Sequence, residues 1–200
     1  KFLPSNGAMA QEVVGAVKDQ PFMVKTIKRS TTKSHAPAPF TTSTMQQDAL
    51  NKAGLSVKRT TSAAQQLYEG VEIAGEGKLA LITYIRTDST RVSADAQNAC
   101  REFAKKMYGE KFVPEKPNIY ATKANAQDAH EAIRPINMNM TPEKVKSSLS
   151  PDNYKLYKLI YERFLASQMS DAVYSNVTAS ITADEYEFKA TGKTMEFAGY

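Results

Sequence analysis

The stretch LALITYIRTDSTRVS, Leu79 to Ser93, decides how this chain reads. Ile82, Thr83, Ile85 and Thr87 are β-branched and no Gly or Pro interrupts the run, so it is expected to begin as a strand. At a period of two, Ile82, Tyr84 and Arg86 share one face, and Leu81, Thr83 and Ile85 share the other. A phenol and a guanidinium then project side by side, with Asp88, Ser89 and Thr90 in a turn beyond them. A phenol is a poor nucleophile near neutral pH because its ordinary pKa is about 10. A permanent cation beside it favours the phenolate, and the same cation can neutralise charge on a phosphate under attack. Spacing alone more often means something plainer: a half-buried strand with Tyr84 in the core and Arg86 at the rim.

On either side of this stretch the pattern is helical. Ser43, with Gln46 three residues on, predicts a capped helix running to about Ala53 and stopped by Gly54. A second helix, roughly Lys58 to Gly70, turns Ala64, Leu67 and Tyr68 toward a core, and Gly75 and Gly77 break the chain before the tyrosine strand. After it, Ser93 is expected to cap a helix with Asp95 in the first turn and Lys105 and Lys106 in the last, in the order that suits the helix dipole. Ala96, Ala99, Cys100, Phe103 and Met107 fall at helical spacing and should be buried. Thr141-Pro142 and Ser150-Pro151 are helix starts, each a cap followed by Pro at the first position. The second of these helices carries Tyr154, Tyr157, Tyr161 and Phe164 on one stripe, which reads as core rather than as a base-stacking surface.

The two ends differ. Met9 to Lys18 reads as a short helix stopped by Pro21, Phe22 to Arg29 as a strand, and Ser30 to Pro39 as a connection. Lys25, Lys28, Arg29 and Lys33 suit either a nucleic-acid groove or, more commonly, a solvated basic edge. Past Ala172 the period changes to two through Val173, Ser175, Val177, Ala179 and Ile181, then through Tyr186, Phe188 and Ala190. Met195 and Phe197 are expected to begin a third strand of an antiparallel meander, with a turn near Ala183 and Asp184.

The chain has 200 residues, 42% hydrophobic and 24% charged, with a net charge of +5. Such a balance suits a polyanionic partner without requiring one. One cysteine, Cys100, excludes an internal disulfide or a Cys-rich metal site and points to a reducing compartment. No apolar run approaches the ~20 residues of a membrane span, and no secretory leader opens the chain. It begins at Lys1 and closes at Tyr200 inside a strand-like pattern, and so reads as a piece of a larger protein. His130-Glu131 is followed by Arg134 rather than a second His, which excludes the zinc-protease pattern. A lone His in a short helix is more often a packed or capping group than a catalyst.

Three ordered blocks change the weighting. Gln65-Gln66-Leu67-Tyr68-Glu69-Gly70, followed by Ile82-Thr83-Tyr84-Ile85-Arg86-Thr87-Asp88-Ser89, resembles the active-site signature of type IA DNA topoisomerases. Ala126-Gln127-Asp128-Ala129-His130-Glu131-Ala132-Ile133-Arg134-Pro135 resembles another motif of that family. Pro39-Phe40-Thr41-Thr42-Ser43-Thr44-Met45-Gln46-Gln47 is similar to its entry into the helical domain that carries the tyrosine. Ile85 between the Tyr and the Arg looks like bacterial topoisomerase I, where the topoisomerase III branch tends to place Pro.

The resemblance implies an α+β fold in which a helical catalytic-tyrosine domain is inserted into the β-rich arch of a toroidal enzyme. Residues 1–38 and 171–200 would supply the arch and residues 39–170 the helical domain. It implies transient cleavage of one DNA strand by Tyr84, with Arg86 and His130 on the phosphate, Asp88 and Glu131 in support, and Arg86, Arg91, Arg134 and Lys123 as DNA contacts. Glu131 and Arg134 could equally pair with each other. Substrates would be single-stranded and negatively supercoiled DNA in the bacterial cytoplasm, at the nucleoid. Mg2+ would be bound by an N-terminal acidic domain outside these residues, no metal by the residues themselves, and no ATP would be used. C-terminal DNA-binding modules of the same chain would also be partners, and no membrane would be involved. Two rivals remain: a non-catalytic DNA-binding or scaffold module of the same fold, and a tyrosine recombinase or type IB enzyme, for which no Arg-His-Arg constellation is visible.

Overall fold

The computed structural model describes residues 3–120 and 130–200. They divide into two compact units, one of Lys1–Ser34 with Ala172–Ala198 and one of His35–Asp171 with Gly199–Tyr200.

The first unit is built on a three-stranded antiparallel sheet. Helix α1 (Gly7–Val17) opens it, its N-cap Asn6 accepting the Met9 N–H (2.9 Å), and of its apolar residues only Val17 is buried. Strand β1 (Met23–Ser34) pairs with β4 (Ala172–Ala183), which pairs in turn with β5 (Tyr186–Phe197), in the order β1-β4-β5. Two expectations are corrected here. Ser30 to Ser34 is strand rather than connection, because Ala172 to Asn176 of β4 gives each of these polar residues a ladder partner. Met195 and Phe197 end β5 rather than beginning another strand. The β4–β5 turn falls where the pattern placed it, with Asp184 at φ 52°, a left-handed position that Asp tolerates better than most residues. β1 lies at the sheet edge with its residues exposed, and beyond an irregularity between Val24 and Thr26 its basic residues part. Lys28 alternates to one face, Arg29 and Lys33 to the other.

The second unit packs helices around one core. α2 (Thr42–Ala53) is capped by Thr41, not Ser43. Thr41 Oγ1 accepts the Thr44 N–H (3.4 Å) and Thr44 Oγ1 accepts the Thr41 N–H (2.9 Å), a capping box two residues earlier than expected. Gly54 at φ 66° ends the helix as predicted. α3 (Val57–Glu69) buries Ala64 and Leu67 completely, but Tyr68 is 37% exposed rather than core. A small hairpin, β2 (Val71–Ile73) and β3 (Gly77–Leu79), spans Gly75 where only a break was expected. α4 (Ala94–Tyr108) buries Cys100 and Ala104. Ala99 and Met107 are exposed, since the helix packs along a narrower stripe than its apolar residues suggest. Burial pushes the Cys100 thiol up to about 12, so it is an inert core residue.

α5 (Pro142–Val145) and α6 (Pro151–Ser167) start at their Thr141 and Ser150 caps as read from the sequence. On α6, Tyr157, Tyr161 and Phe164 are buried as expected, and Tyr154 is half-buried. Each buried phenol has a partner: Tyr157 Oη donates to the Met140 carbonyl and Tyr161 Oη to the Met138 carbonyl, both at 2.6 Å. Arg163 joins α6 to the start of the unit. Its Nε donates to the Ala38 carbonyl (2.6 Å), its Nη1 meets Asp48 (3.2 Å), and its guanidinium lies 4.8 Å from the Phe40 ring centroid.

A Tyr157→Phe substitution leaves the Met140 carbonyl without its partner in the core. The expected cost is about 1–3 kcal/mol, measured as a lower denaturation midpoint with an unchanged denaturant slope.

Candidate active site

The run from Leu81 to Ser89 is extended apart from a bend at Ile85 and belongs to no sheet, which corrects the expectation of a regular strand. Its backbone is satisfied from several sides. The Leu81 N–H donates to the Leu67 carbonyl in α3 (2.8 Å), the Thr83 N–H to the Arg134 carbonyl (3.0 Å), and the Ile136 N–H to the Leu81 carbonyl (3.0 Å). Two threonine hydroxyls supply most of the rest. Thr83 Oγ1 donates to the Ala132 carbonyl (2.7 Å) and accepts the Arg134 N–H (3.0 Å). Thr42 Oγ1 donates to the Ile85 carbonyl (2.7 Å) and accepts the Thr87 N–H (2.9 Å), while the Thr42 N–H donates to the Thr87 carbonyl (2.9 Å).

The segment around His130 is extended too, not a short helix. The Ala132 N–H donates to the Arg91 carbonyl and the Ile133 N–H to the Phe40 carbonyl, each at 2.8 Å. Isolated bridges join Ile133 to Phe40 and Pro135 to Ile82. All three sequence blocks therefore meet along one extended backbone.

From Tyr84 onward the expected alternation holds: Tyr84, Arg86 and Asp88 face outward, and Ile85, Thr87 and Ser89 are buried. Ile82 does not share the outward face. It is fully buried, because the backbone there is enclosed on both sides and bridges to Pro135. The Tyr84 ring is 37% exposed and held between two others. Tyr68 stands edge-on to it with centroids 5.4 Å apart, and His130 lies 5.2 Å away at a 37° tilt. Beside it, Arg86, Thr87, Asp88 and His130 line an open concavity of about 510 Å³ together with Thr42 and Ser43. Thr42 and Ser43 are the first residues of α2, so the positive end of that helix borders the same space. A guanidinium, an imidazole and a helix N-terminus thus converge next to an exposed phenol.

Glu131 and Arg134 take the structural alternative. Arg134 Nη2 and Nε reach Glu131 Oε2 at 2.6 and 2.9 Å, and Nη1 donates to the Pro135 carbonyl (3.1 Å). With its side chain only 13% exposed, Arg134 is turned inward onto this pair. Glu131 Oε1 also accepts the Ser93 N–H (2.8 Å), so the Ser93 turn is held through its backbone while its side chain makes no cap bond. Burial alone would raise the Glu131 carboxyl, but Arg134 and Ser93 outweigh it and hold the group below the usual carboxylate range. Arg91 is exposed. Lys123 and residues 126–129 of the second motif lie outside the described residues. The sequence reading missed Thr42, Ser43, Thr83 and Tyr68 as parts of this site. Thr42 and Ser43 sit in the Pro39–Gln47 block, Thr83 and Tyr68 in the signature, and block membership was their only sequence signal.

The profile of the DNA topoisomerase family matches residues 5–200. DNA topoisomerase 1 of Rickettsia bellii (strain RML369-C) is 42% identical over 203 aligned residues, which cover all of this chain and 25% of the relative. That of Fervidobacterium islandicum is 46% identical over 173, covering 84% of the chain and 25% of the relative. The structure of full-length topoisomerase I from Thermotoga maritima superposes with a TM-score of 0.82 at 40% identity, over all of this chain and 31% of that one. The chain belongs to the DNA topoisomerase family, in its type IA branch. Within that branch it is similar to bacterial topoisomerase I, and it spans about a quarter of the length of these curated relatives.

Two substitutions test the scaffold. Thr42→Val leaves the Ile85 carbonyl and the Thr87 N–H unpaired, at an expected cost of about 1–3 kcal/mol in thermal unfolding. Glu131→Gln weakens the grip on a largely buried guanidinium. Because the native Glu131 carboxyl lies below its unfolded value, its stabilisation is full above the ordinary glutamate range and is lost as pH falls through the depressed native value. The melting difference between wild type and Glu131→Gln should therefore be largest at neutral pH and shrink on acidification.

Proposed function

We propose that Tyr84 is the nucleophile that cleaves one DNA strand in a type IA topoisomerase, and that Arg86 and His130 hold the phosphate it attacks. The observation that carries this reading is the convergence of Arg86, His130 and the start of α2 on one open concavity beside the exposed Tyr84 ring. Tyr84 Oη attacks phosphorus, the bond from phosphorus to the 3′ oxygen breaks, and that oxygen leaves with a proton as a 3′ hydroxyl. The phosphate stays on the 5′ end of the break as a phosphotyrosine ester. Arg86 neutralises the charge that builds on the phosphate oxygens. His130 donates a further hydrogen bond, and the dipole of α2, whose N-terminus borders the concavity, adds a fixed positive potential. Asp88, in the same concavity, orients His130 or Arg86. The ester conserves the free energy of the broken bond, so religation after strand passage needs no ATP, and negatively supercoiled DNA is relaxed.

Among the described residues there is no group of three or more His, Cys, Asp or Glu side chains that could hold a metal. In this reading Mg2+ is held by an acidic domain outside these residues, and Tyr84, Arg86 and His130 serve as the nucleophile and the phosphate contacts. The sheet unit belongs to a β-rich arch and the helical unit carries the chemistry. The enzyme works in the bacterial cytoplasm, and this stretch by itself does not relax DNA.

The test uses the full-length parent chain in single-turnover cleavage of a single-stranded oligonucleotide. Tyr84→Phe should abolish cleavage while leaving DNA affinity unchanged. Arg86→Ala and His130→Ala should each slow it about 10²–10³-fold. Wild-type cleavage by Tyr84→Phe would overturn the proposal.

A further inference from the structure

The sheet of β1, β4 and β5 has two chemically distinct faces that no single strand reveals. The register aligns Lys28 with Thr178 and Thr178 with Thr191, and it aligns Asn176 with Lys193 and Ser180 with Lys189. Alternation then puts Lys28, Lys189 and Lys193 on one face. Contacts within the sheet fix that assignment. Asn176 Nδ2 donates to Thr32 Oγ1 (2.9 Å), Ser180 Oγ bonds Glu187, and Lys193 Nζ sits 3.7 Å from the Tyr174 ring centroid. The opposite face carries Val24, Ile27, Val177, Ala179, Ile181 and Phe188, with Phe22 against Phe188 at 5.5 Å.

Around the three lysines the face is mostly hydroxyl and amide: Thr26, Ser30, Asn176, Thr178, Ser180 and Thr191 lie in register between or beside them, with the exposed Met23 and Met195 at its two ends. Glu187, the acid in register on this face among the described residues, is bonded to Ser180. Lys189 and Lys193 stand four residues apart on β5, about 14 Å, and Lys28 lies two strand spacings away, about 10 Å. Ammonium groups so spread among hydroxyl donors suit contacts to phosphate oxygens, which position a nucleic acid without reading its sequence. Binding to single strands uses open aromatic platforms for the bases. Here the aromatic ring on this face, Tyr174, is covered by Lys193. A broad, cationic face without an open ring suits the backbone of a duplex.

From this we infer that the Lys28–Lys189–Lys193 face is a sequence-independent docking surface for duplex DNA. The inference rests on the reading that the parent protein acts on DNA, and it assigns a separate contact to the unit that lacks the tyrosine.

The test is fluorescence-anisotropy binding of a duplex oligonucleotide to the full-length parent chain across a salt series without magnesium. Lys28→Ala, Lys189→Ala and Lys193→Ala are combined in one variant. Each lost phosphate contact removes about 0.9 from the slope of log affinity against log salt, so the slope should fall by about 2 to 3. Arginine at the same three positions should keep it. Arg29→Ala with Lys33→Ala, on the other face, should change it little. An unchanged slope in the triple alanine variant, an equal loss per charge in the Arg29/Lys33 control, or an effect confined to a single-stranded oligonucleotide would overturn the inference. Single-strand cleavage is measured on the same proteins. If wild type fails to cleave through Tyr84, the proposed function falls while the slopes still report on the sheet.

Discussion

Everything at the site depends on how the chain from Leu81 to Thr87 is held extended without a sheet. A free extended backbone in the interior would leave amide groups unpaired, each at a cost comparable to a lost hydrogen bond. Here α3, the Arg134–Ile136 segment and two threonine hydroxyls meet that need. The arrangement has a consequence that a regular strand would lack. Because Thr42 and Thr83 bond through side chains, the run is tied at once to the first turn of α2 and to the His130–Arg134 segment. Tyr84 and Arg86 are thereby set beside His130 and a helix N-terminus.

The supports of this arrangement are themselves paired, and their charged groups are largely withdrawn from solvent. Glu131 holds Arg134 and the Ser93 turn, Arg163 holds the Ala38 carbonyl and Asp48, and Phe40 packs under that guanidinium while pairing with Ile133. Ionised pairs of this kind add little net stability over apolar packing but cost several kcal/mol when one partner is lost. Their value here is positional: they fix the three segments in register while Tyr84 stays open to solvent. The aromatic flanks of Tyr84 act the same way, since ring pairs at such distances prefer particular orientations.

Helix starts and stops were legible because they are local. Thr141-Pro142, Ser150-Pro151 and Gly54 carry their signals within a turn. The aromatic stripe of α6 was legible because its period is its own. What failed depended on partners distant in sequence. Ser30–Ser34 became strand only because β4 lies beside it, Ile82 was buried by Pro135, and Thr41 displaced Ser43 as a cap where the Phe40–Thr41 backbone enters the helix. Basic residues show the same limit. Lys28, Arg29 and Lys33 look clustered in sequence, yet alternation separates them, while strand pairing brings Lys28 together with Lys189 and Lys193. At the site, Tyr84 and Arg86 stood out from their chemistry and spacing, whereas Thr42 and Thr83 were not distinguishable from other surface threonines.

The most direct measurement is the identity of the residue that carries DNA. The full-length parent chain is incubated with magnesium and a single-stranded oligonucleotide labelled at its 3′ end, denatured rapidly and digested, and the labelled peptide is sequenced by mass spectrometry. Label should sit on Tyr84 through a 5′ phosphate. Label on the neighbouring Tyr68, whose ring centroid is 5.4 Å away, or attachment only of a 5′-labelled strand through its 3′ phosphate, would contradict the assignment of Tyr84 as a type IA nucleophile.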